Sequence, residues 1–461
     1  MSYTRDHQRS SIPLLPVSEA DFPDWLKSAS KRHRRWLESA GFKAKPGKWC
    51  GVPDEHGRVE AVVFGMAERG WLFQFGNLAR ELPAGSYRLV SVWSDDQRIQ
   101  ASIGWGLSAY RFNRYRSKDA SQGPSLLLDE DIADIVERMV GAQCLVRDLV
   151  NTPTEDLGPA ELTAAVTRVG DLYDAQVKVI QGDDLLNENF PAIHAVGRAA
   201  SRAPRLVSLN WGDKEHPRLA LIGKGVCFDT GGLDIKPAAG MRLMKKDMGG
   251  AAHVLALAQL IMQFRVPVNL QVLVPAVENA ISGNAYRPGD VIDTRKGLSV
   301  EIGNTDAEGR VIMSDALALA CEEAPDLVID FATLTGAARI ALGADLPPVF
   351  SNHEEIAQAI KEAGERVEDP LWTMPLYQPY NALLESDIAD INNIGSTAYG
   401  GCITAALFLE HFVERGVPWV HIDTFAWNQS SRPGRPKGGE ALGLRAVFNY
   451  CLLYTSDAAD E

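Results

Sequence analysis

Cysteine is scarce in this chain. Its six cysteines, Cys50, Cys144, Cys227, Cys321, Cys402 and Cys451, form no CxxC and no paired spacing. That scatter excludes a disulfide framework and a thiolate zinc site, and it suits a reducing compartment. There is no HExxH helix, which excludes single-zinc protease chemistry of that kind, and no Gly-x-Ser-x-Gly elbow, which counts against serine hydrolysis. The P-loop and GxGxxG spacings are missing too. No apolar run approaches a membrane span. The first thirty residues carry Arg5, Asp6, Arg9, Glu19, Asp21 and Asp24 and hold no apolar core of signal-peptide length. A soluble cytoplasmic protein without a membrane partner is therefore expected.

What is present is ordinary for a globular protein, with 46% hydrophobic and 23% charged residues in a 461-residue chain. That length suffices for two or three domains and a large core. The net charge of −14 is unevenly spread: residues 1–150 hold 21 Lys/Arg and 19 Asp/Glu, the remainder 25 and 41. An acidic main body argues against nucleic acid as its ligand and fits a protein that holds multivalent cations. The slightly basic first part leaves a weaker nucleic-acid option open.

The chain divides by pattern into an N-terminal α/β domain over 1–130, a linker helix over 131–158 and a larger domain over 159–450. In the first, the cationic segment Lys27-Ser28-Ala29-Ser30-Lys31-Arg32-His33-Arg34-Arg35 reads as a solvated helix face. Strand-like runs follow at 60–65 and 86–92, with a helix around 101–113. From residue 170 onward, apolar strand-like runs at 175–180, 206–210, 219–222, 268–274, 327–330 and 419–423 alternate with helical patterns at 249–264, 314–323 and 403–415. That alternation predicts an α/β fold with a mostly parallel central sheet flanked by helices, and ligands at the carboxyl ends of its strands. Residues 451–461 break in character from the preceding run and read as a non-native tail.

Two clusters carry the chemistry. Asn304-Thr305-Asp306-Ala307-Glu308-Gly309-Arg310 packs two carboxylates, a guanidinium and a glycine into seven residues. Asp306 and Glu308 can share a cation there while Arg310 serves an anion; the same string can also be an acidic loop capping a helix that starts near Ser314. The second cluster follows the run 219–222: Gly223-Lys224-Gly225-Val226-Cys227-Phe228-Asp229-Thr230-Gly231-Gly232-Leu233-Asp234-Ile235-Lys236, then Met244-Lys245-Lys246-Asp247-Met248-Gly249-Gly250. Its glycines let the backbone fold tightly enough for Asp229 and Asp247 to face one centre. Together Lys224, Asp229, Asp247, Asp306 and Glu308 are enough ligands for two metals sharing bridging carboxylates, with Lys236 and Arg310 left for charge roles. His253, inside an apolar helical run, is expected to be a packed core residue. Cys227 should be buried and inert, and Lys245 and Lys246 solvated or paired with the acidic loop.

These strings, together with Glu278-Asn279-Ala280-Ile281-Ser282-Gly283-Asn284-Ala285-Tyr286-Arg287-Pro288-Gly289-Asp290 and Thr333-Leu334-Thr335-Gly336-Ala337, closely resemble the leucine aminopeptidase family, in order and with its spacing, over about 145–447. The resemblance implies a metal-dependent exopeptidase that removes N-terminal residues, leucine-like ones preferred, from peptides with a free N-terminus. It implies two divalent ions per subunit, zinc or manganese with magnesium as a third option. Lys224, Asp229, Asp247 and Glu308 would hold the looser ion, and Asp229, Asp306 and Glu308 the tighter one. Lys236 would polarise the carbonyl, and Arg310 would hold a bicarbonate acting as general base. Met244, Asn304, Thr333, Leu334 and Gly336 are the implied substrate-binding residues, and a homohexamer is the implied assembly. Thr230 stands where many members carry serine, and Leu233-Asp234 departs from the family's more apolar or small residues, which touches fine substrate preference. Two other readings stay open: DNA binding by the N-terminal domain, as in some bacterial members, and a dinuclear hydrolase of non-peptide amides.

Overall fold

The computed structural model describes residues 2–8, 10–68, 70–117 and 123–460, with side chains as far as Leu453. The chain forms two compact units, one of Met1–Cys144 with Gln429–Lys437, the other of Leu145–Asn428 with Gly438–Glu461. The division falls inside the helix Glu130–Asn151, within the 131–158 segment expected as a linker helix, and a nine-residue return segment belongs to the first unit.

In the first unit six strands run in the order Tyr3–Thr4, Pro124–Leu127, Gly85–Leu89, Ile12–Ser18, Val59–Met66, Trp49–Pro53, with only the last pair antiparallel. Helix Asp95–Ala109 is closed at its start by a reciprocal Ser94–Gln97 capping box, and it buries Trp105 against Phe75 and Tyr87. The cationic segment forms parts of two helices, Phe22–Ser28 and Lys31–Ser39. Much of its charge is engaged: Lys27 pairs with Asp24, Arg32 and His33 with Glu60, and Arg34 donates to the Leu26 and Lys27 carbonyls.

In the second unit a mixed nine-stranded sheet carries the order Trp372–Thr373, Pro348–Ser351, Trp419–Asp423, Leu327–Ala332, Arg218–Gly223, Asn269–Asn279, Arg205–Trp211, Gln176–Gln181. Its centre is parallel; the strands Arg205–Trp211, Gln176–Gln181 and Pro348–Ser351 make the antiparallel pairings. The strand Arg218–Gly223 resumes as Gly225–Asp229 beside the same neighbour, so the chain breaks at Lys224, and a second irregularity follows at Cys227. Its N–H still donates to the Phe331 carbonyl, and its own carbonyl accepts from Ala251.

Helix Gly249–Phe264 is apolar on all sides and buried from Gly249 to Leu260 except at Gln259, as expected of a helix inside a core. Its glycine start is a packing requirement: a Cβ on Gly250 would collide with the Phe331 carbonyl and stand 2.9 Å from the Lys224 backbone nitrogen, and one on Gly249 2.6 Å from the Ala426 Cβ. Through the opposite layer, Ala220 and Ile222 share a cluster with Val311, Ile312, Ala406 and Leu407 from the helices Glu308–Cys321 and Gly401–Glu410. The helix expected from Ser314 therefore begins six residues earlier, at Glu308. Helix Leu444–Asp460 continues through most of the segment set apart as a tail, whose last residue, Glu461, lies outside the described residues. Among the described residues no helix is long and apolar enough to cross a membrane.

Candidate metal centre

The charged residues converge where strands end. Asp229 closes its strand, Thr333 follows the end of Leu327–Ala332, and Asp247 lies in the short 3-10 turn Met244–Met248 that feeds helix Gly249–Phe264. Glu308 is the first residue of its helix, so it and Arg310 sit on an ordered first turn and not on a loop. Oxygens of Asp229, Asp306 and Glu308 lie within 4.8 Å of one another.

Two lysines are threaded through this group. Lys224, 3% exposed, places Nζ 2.7 Å from Asp247 Oδ2 and 2.9 Å from Glu308 Oε1 and donates to the Thr333 carbonyl. Its stem runs along Gly309, where a Cβ would come within 2.7 Å of Lys224 Cδ and Nζ. Lys236 Nζ is 2.7 Å from Asp229 Oδ2 and also pairs with Asp306. Asp247 Oδ1 accepts from the Thr333 hydroxyl at 2.8 Å.

Crowding of like charge away from water dominates the electrostatics. Burial, then the charge of Asp229, pushes Glu308 up to about 8 and Asp306 up to about 6. Burial lowers the proton affinity of Lys224 and Lys236, but carboxylates, Asp247 foremost for the first and Asp229 for the second, outweigh it and raise both. Burial raises Asp247, yet Lys224 and then Lys246 hold it below the ordinary carboxylate range. Arg310 is pushed down to about 10 by burial; its Nη1 donates to the Asn393 carbonyl at 2.9 Å, while Nε is buried without a hydrogen bond.

This donor set fits divalent cations. Asp247 Oδ2, Asp306 Oδ1 and Glu308 Oε1 are buried and take no well-aligned hydrogen bond, although an ammonium nitrogen lies within ion-pair reach of each. Hard oxygens that are desolvated, mutually repelling and short of donors are what a bound dication relieves.

The remaining sequence-predicted residues are distributed around this centre. Met244 opens the turn that carries Asp247 and is half-buried. Asn304 accepts the Asp306 N–H on its side chain. The Leu334 N–H donates to Asp423, and Gly336 starts the helix Gly336–Leu342 with open space where a Cβ would project. His253 is packed as expected, its Nδ1 against the Gly249 carbonyl and its Nε2 accepting the Leu442 N–H. Cys227 is buried. Lys246 departs from expectation: it is buried, its ammonium 4.9 Å from the centroid of the Phe425 ring, and burial pushes it down to about 8. Lys245, half-buried, donates to the Asn151 carbonyl and stands 5.6 Å from the Trp427 ring centroid.

Several supporting residues carry no role in the sequence reading. Asn393 clasps the loop from both sides, accepting from Gly303 and Asn304 N–H and donating to the Asn304 carbonyl. Asp423 accepts from Leu334 N–H, Thr335 N–H and the Thr335 hydroxyl. Ala426 adopts a positive φ of 54° beside Gly249. None of these has a local sequence signal, because each acts across more than about eighty positions.

Residues 144–448 match the model of the cytosol aminopeptidase family, catalytic domain, and residues 12–128 match that of the M17 aminopeptidase N-terminal domain. The chain belongs to the cytosol aminopeptidase family. A probable cytosol aminopeptidase of Syntrophotalea carbinolica is 41% identical over 77% of this chain and 74% of its own length. One from Aquifex aeolicus is 33% identical over 94% and 92%. Among solved structures, the cytosol aminopeptidase of Coxiella burnetii superposes with a TM-score of 0.95 at 48% identity over 98% of each chain. The bottromycin maturation enzyme BotP in complex with Mn gives 0.87 at 30% identity over 96% and 99%. Cytosol aminopeptidases of this family are metal-dependent hydrolases with a dinuclear centre, and peptides are their substrate class.

Proposed function

We propose that this chain removes N-terminal residues from peptides, leucine-like ones preferred, with two divalent cations held by Lys224, Asp229, Asp247, Asp306 and Glu308. The observation that carries this reading is the cluster of three carboxylates within 4.8 Å, two with strongly raised proton affinity, interleaved with two lysines. Lys224, Asp229, Asp247 and Glu308 would hold the looser ion, and Asp229, Asp306 and Glu308 the tighter one. Zinc or manganese suits these donors, with magnesium as the third option. Bound there, divalent cations would supply Lewis-acid polarisation and a water of lowered pKa, and Arg310 would hold a bicarbonate as general base. Lys236 stays charged and offers its ammonium to the oxyanion that develops. Arg310, held by Asn393, has its buried Nε left without a hydrogen bond and so able to serve an anion. Met244, Thr333 and the backbone of Leu334 and Gly336 would line the first side-chain pocket, with Asn304 a further substrate-binding residue. The peptide's free amine explains removal of one residue at a time. A cytoplasmic homohexamer completes the reading.

The test is a panel of aminoacyl amides with free and blocked amines, run on metal-free protein refilled with zinc, manganese or magnesium. Release of leucine from free-amine substrates only is expected. Equal hydrolysis of blocked substrates would refute exopeptidase action and favour a hydrolase of non-peptide amides.

A further inference from the structure

Every polar atom of Thr305 is spoken for, and the partners come from the other half of the site. Its hydroxyl donates to the Gly231 carbonyl at 2.6 Å and accepts from the Asp234 N–H at 2.9 Å. Its own N–H donates to Asp234 Oδ2 at 2.8 Å. Its carbonyl accepts from Tyr286 Oη at 2.6 Å and from Asn279 Nδ2 at 3.0 Å. Thr305 immediately precedes Asp306, so these bonds fix where that carboxylate begins.

Asn279 also reaches Asp229 with its side chain, as Gly231 does with its backbone. The second hydrogen on its Nδ2 goes to Asp229 Oδ1 at 2.8 Å, an oxygen that also accepts the Gly231 N–H at 2.9 Å. One fully buried amide thus joins Asp229 of the second cluster to the backbone in front of Asp306 of the first. Both of its contacts are to acceptors, so only the NH2 end can face them. With Oδ1 saturated, Asp229 is left to present Oδ2, the oxygen beside Lys236.

We propose that Asn279 is a positioning residue that sets the geometry of the metal centre: it locks the rotation of Asp229 and ties it to the position of Asp306. The inference rests on the two-cation reading above. A ligand oriented by an outer hydrogen bond loses metal affinity by about 10–100-fold when that bond is removed. Tyr286 braces the same Thr305 carbonyl without touching a ligand and so separates positioning from plain structural support.

The experiment is Mn2+ binding by chelator competition to wild type, Asn279→Ala, Asn279→Ser and Tyr286→Phe, with melting of each metal-free protein alongside. The expected result is about 10-fold or greater weakening for both Asn279 variants and unchanged Mn2+ affinity for Tyr286→Phe, although all three melt earlier. Unchanged affinity in the Asn279 variants would overturn the proposal, as would equal weakening in Tyr286→Phe. Failure of both Asn279 variants to fold would make the residue structural and overturn it too. Wild type that takes up fewer than two Mn2+ would refute the two-cation reading itself, and this assignment with it.

Discussion

A single methyl group on Gly309 puts the packing of the metal centre to the test. In Gly309→Ala the new Cβ would stand 2.7 Å from Lys224 Cδ and Nζ. Lys224 Cε would stand nearer still, so the stem must retreat by about 1 Å to reach ordinary van der Waals contact. Its two ion pairs, at 2.7 and 2.9 Å, lengthen accordingly. At an effective dielectric of about 20, each pair forfeits about 1.5 kcal/mol. Overpacking the buried stem adds about 1–3 kcal/mol, and the better helix propensity of alanine returns about 1 kcal/mol. The net loss is about 3–5 kcal/mol. For a unit of this size, at about 2 °C per kcal/mol, the metal-free protein should melt roughly 6–10 °C earlier. Gly283, where a Cβ would meet nothing within 4 Å, is the control; Gly283→Ala should change stability by at most ~0.5 kcal/mol. Differential scanning calorimetry of chelator-treated wild type and both variants decides the matter. If Gly309→Ala melts at or above wild type, as helix propensity alone dictates, Lys224 is not confined by that glycine and the reasoning fails.

Other outcomes follow from the same geometry. Asp306→Ala should abolish release of leucine from an aminoacyl amide with metal present, and full retained activity would remove Asp306 from the centre. Lys236→Ala should lower turnover far more than metal content measured by elemental analysis; equal losses would show the lysine to be structural. Burial and the charge of Asp229 raise Glu308 from 4.5 to about 8 and Asp306 from 3.8 to about 6. The folded metal-free protein therefore binds these protons more tightly than the unfolded chain. Their stabilisation is complete below the unfolded values and is lost as pH rises through the folded ones. Melting temperature of metal-free protein should fall between pH 5 and 8, and proton release should accompany Mn2+ uptake in that window; a flat profile without proton release would contradict the raised affinities.

Much of this is legible in the sequence, for identifiable reasons. Helix Gly249–Phe264 matches its apolar run end to end because burial on all sides leaves no polar face to blur its limits. The start of helix Glu308–Cys321 is hidden because Gly309 looks like a loop residue, whereas its role is to clear the stem of Lys224. Lys246 reads as a solvated cation because lysine is rarely buried; the ring of Phe425 that covers it lies far along the chain. The two antiparallel strands Gln176–Gln181 and Arg205–Trp211 carry apolar runs that do not declare a direction. Asn279, Thr305 and Tyr286 escape pattern reading altogether, since a hydrogen-bonded brace has no periodicity.

The break at Lys224 also bears on how the chain avoids errors during folding. Glycines flank it on both sides, at Gly223 and Gly225, and the strand pairs with Asn269–Asn279 above and below the break. A slip of one residue in either direction would offer the centre a hydrogen atom instead of an ammonium-bearing side chain. Such a misregistered sheet could not assemble the full ligand set. A cation that binds only the correct form stabilises it by an amount that grows with the logarithm of its free concentration once that exceeds Kd. Metal loading would then act as a proofreading step on the register of the central sheet, separating correctly threaded molecules from compact but misaligned ones.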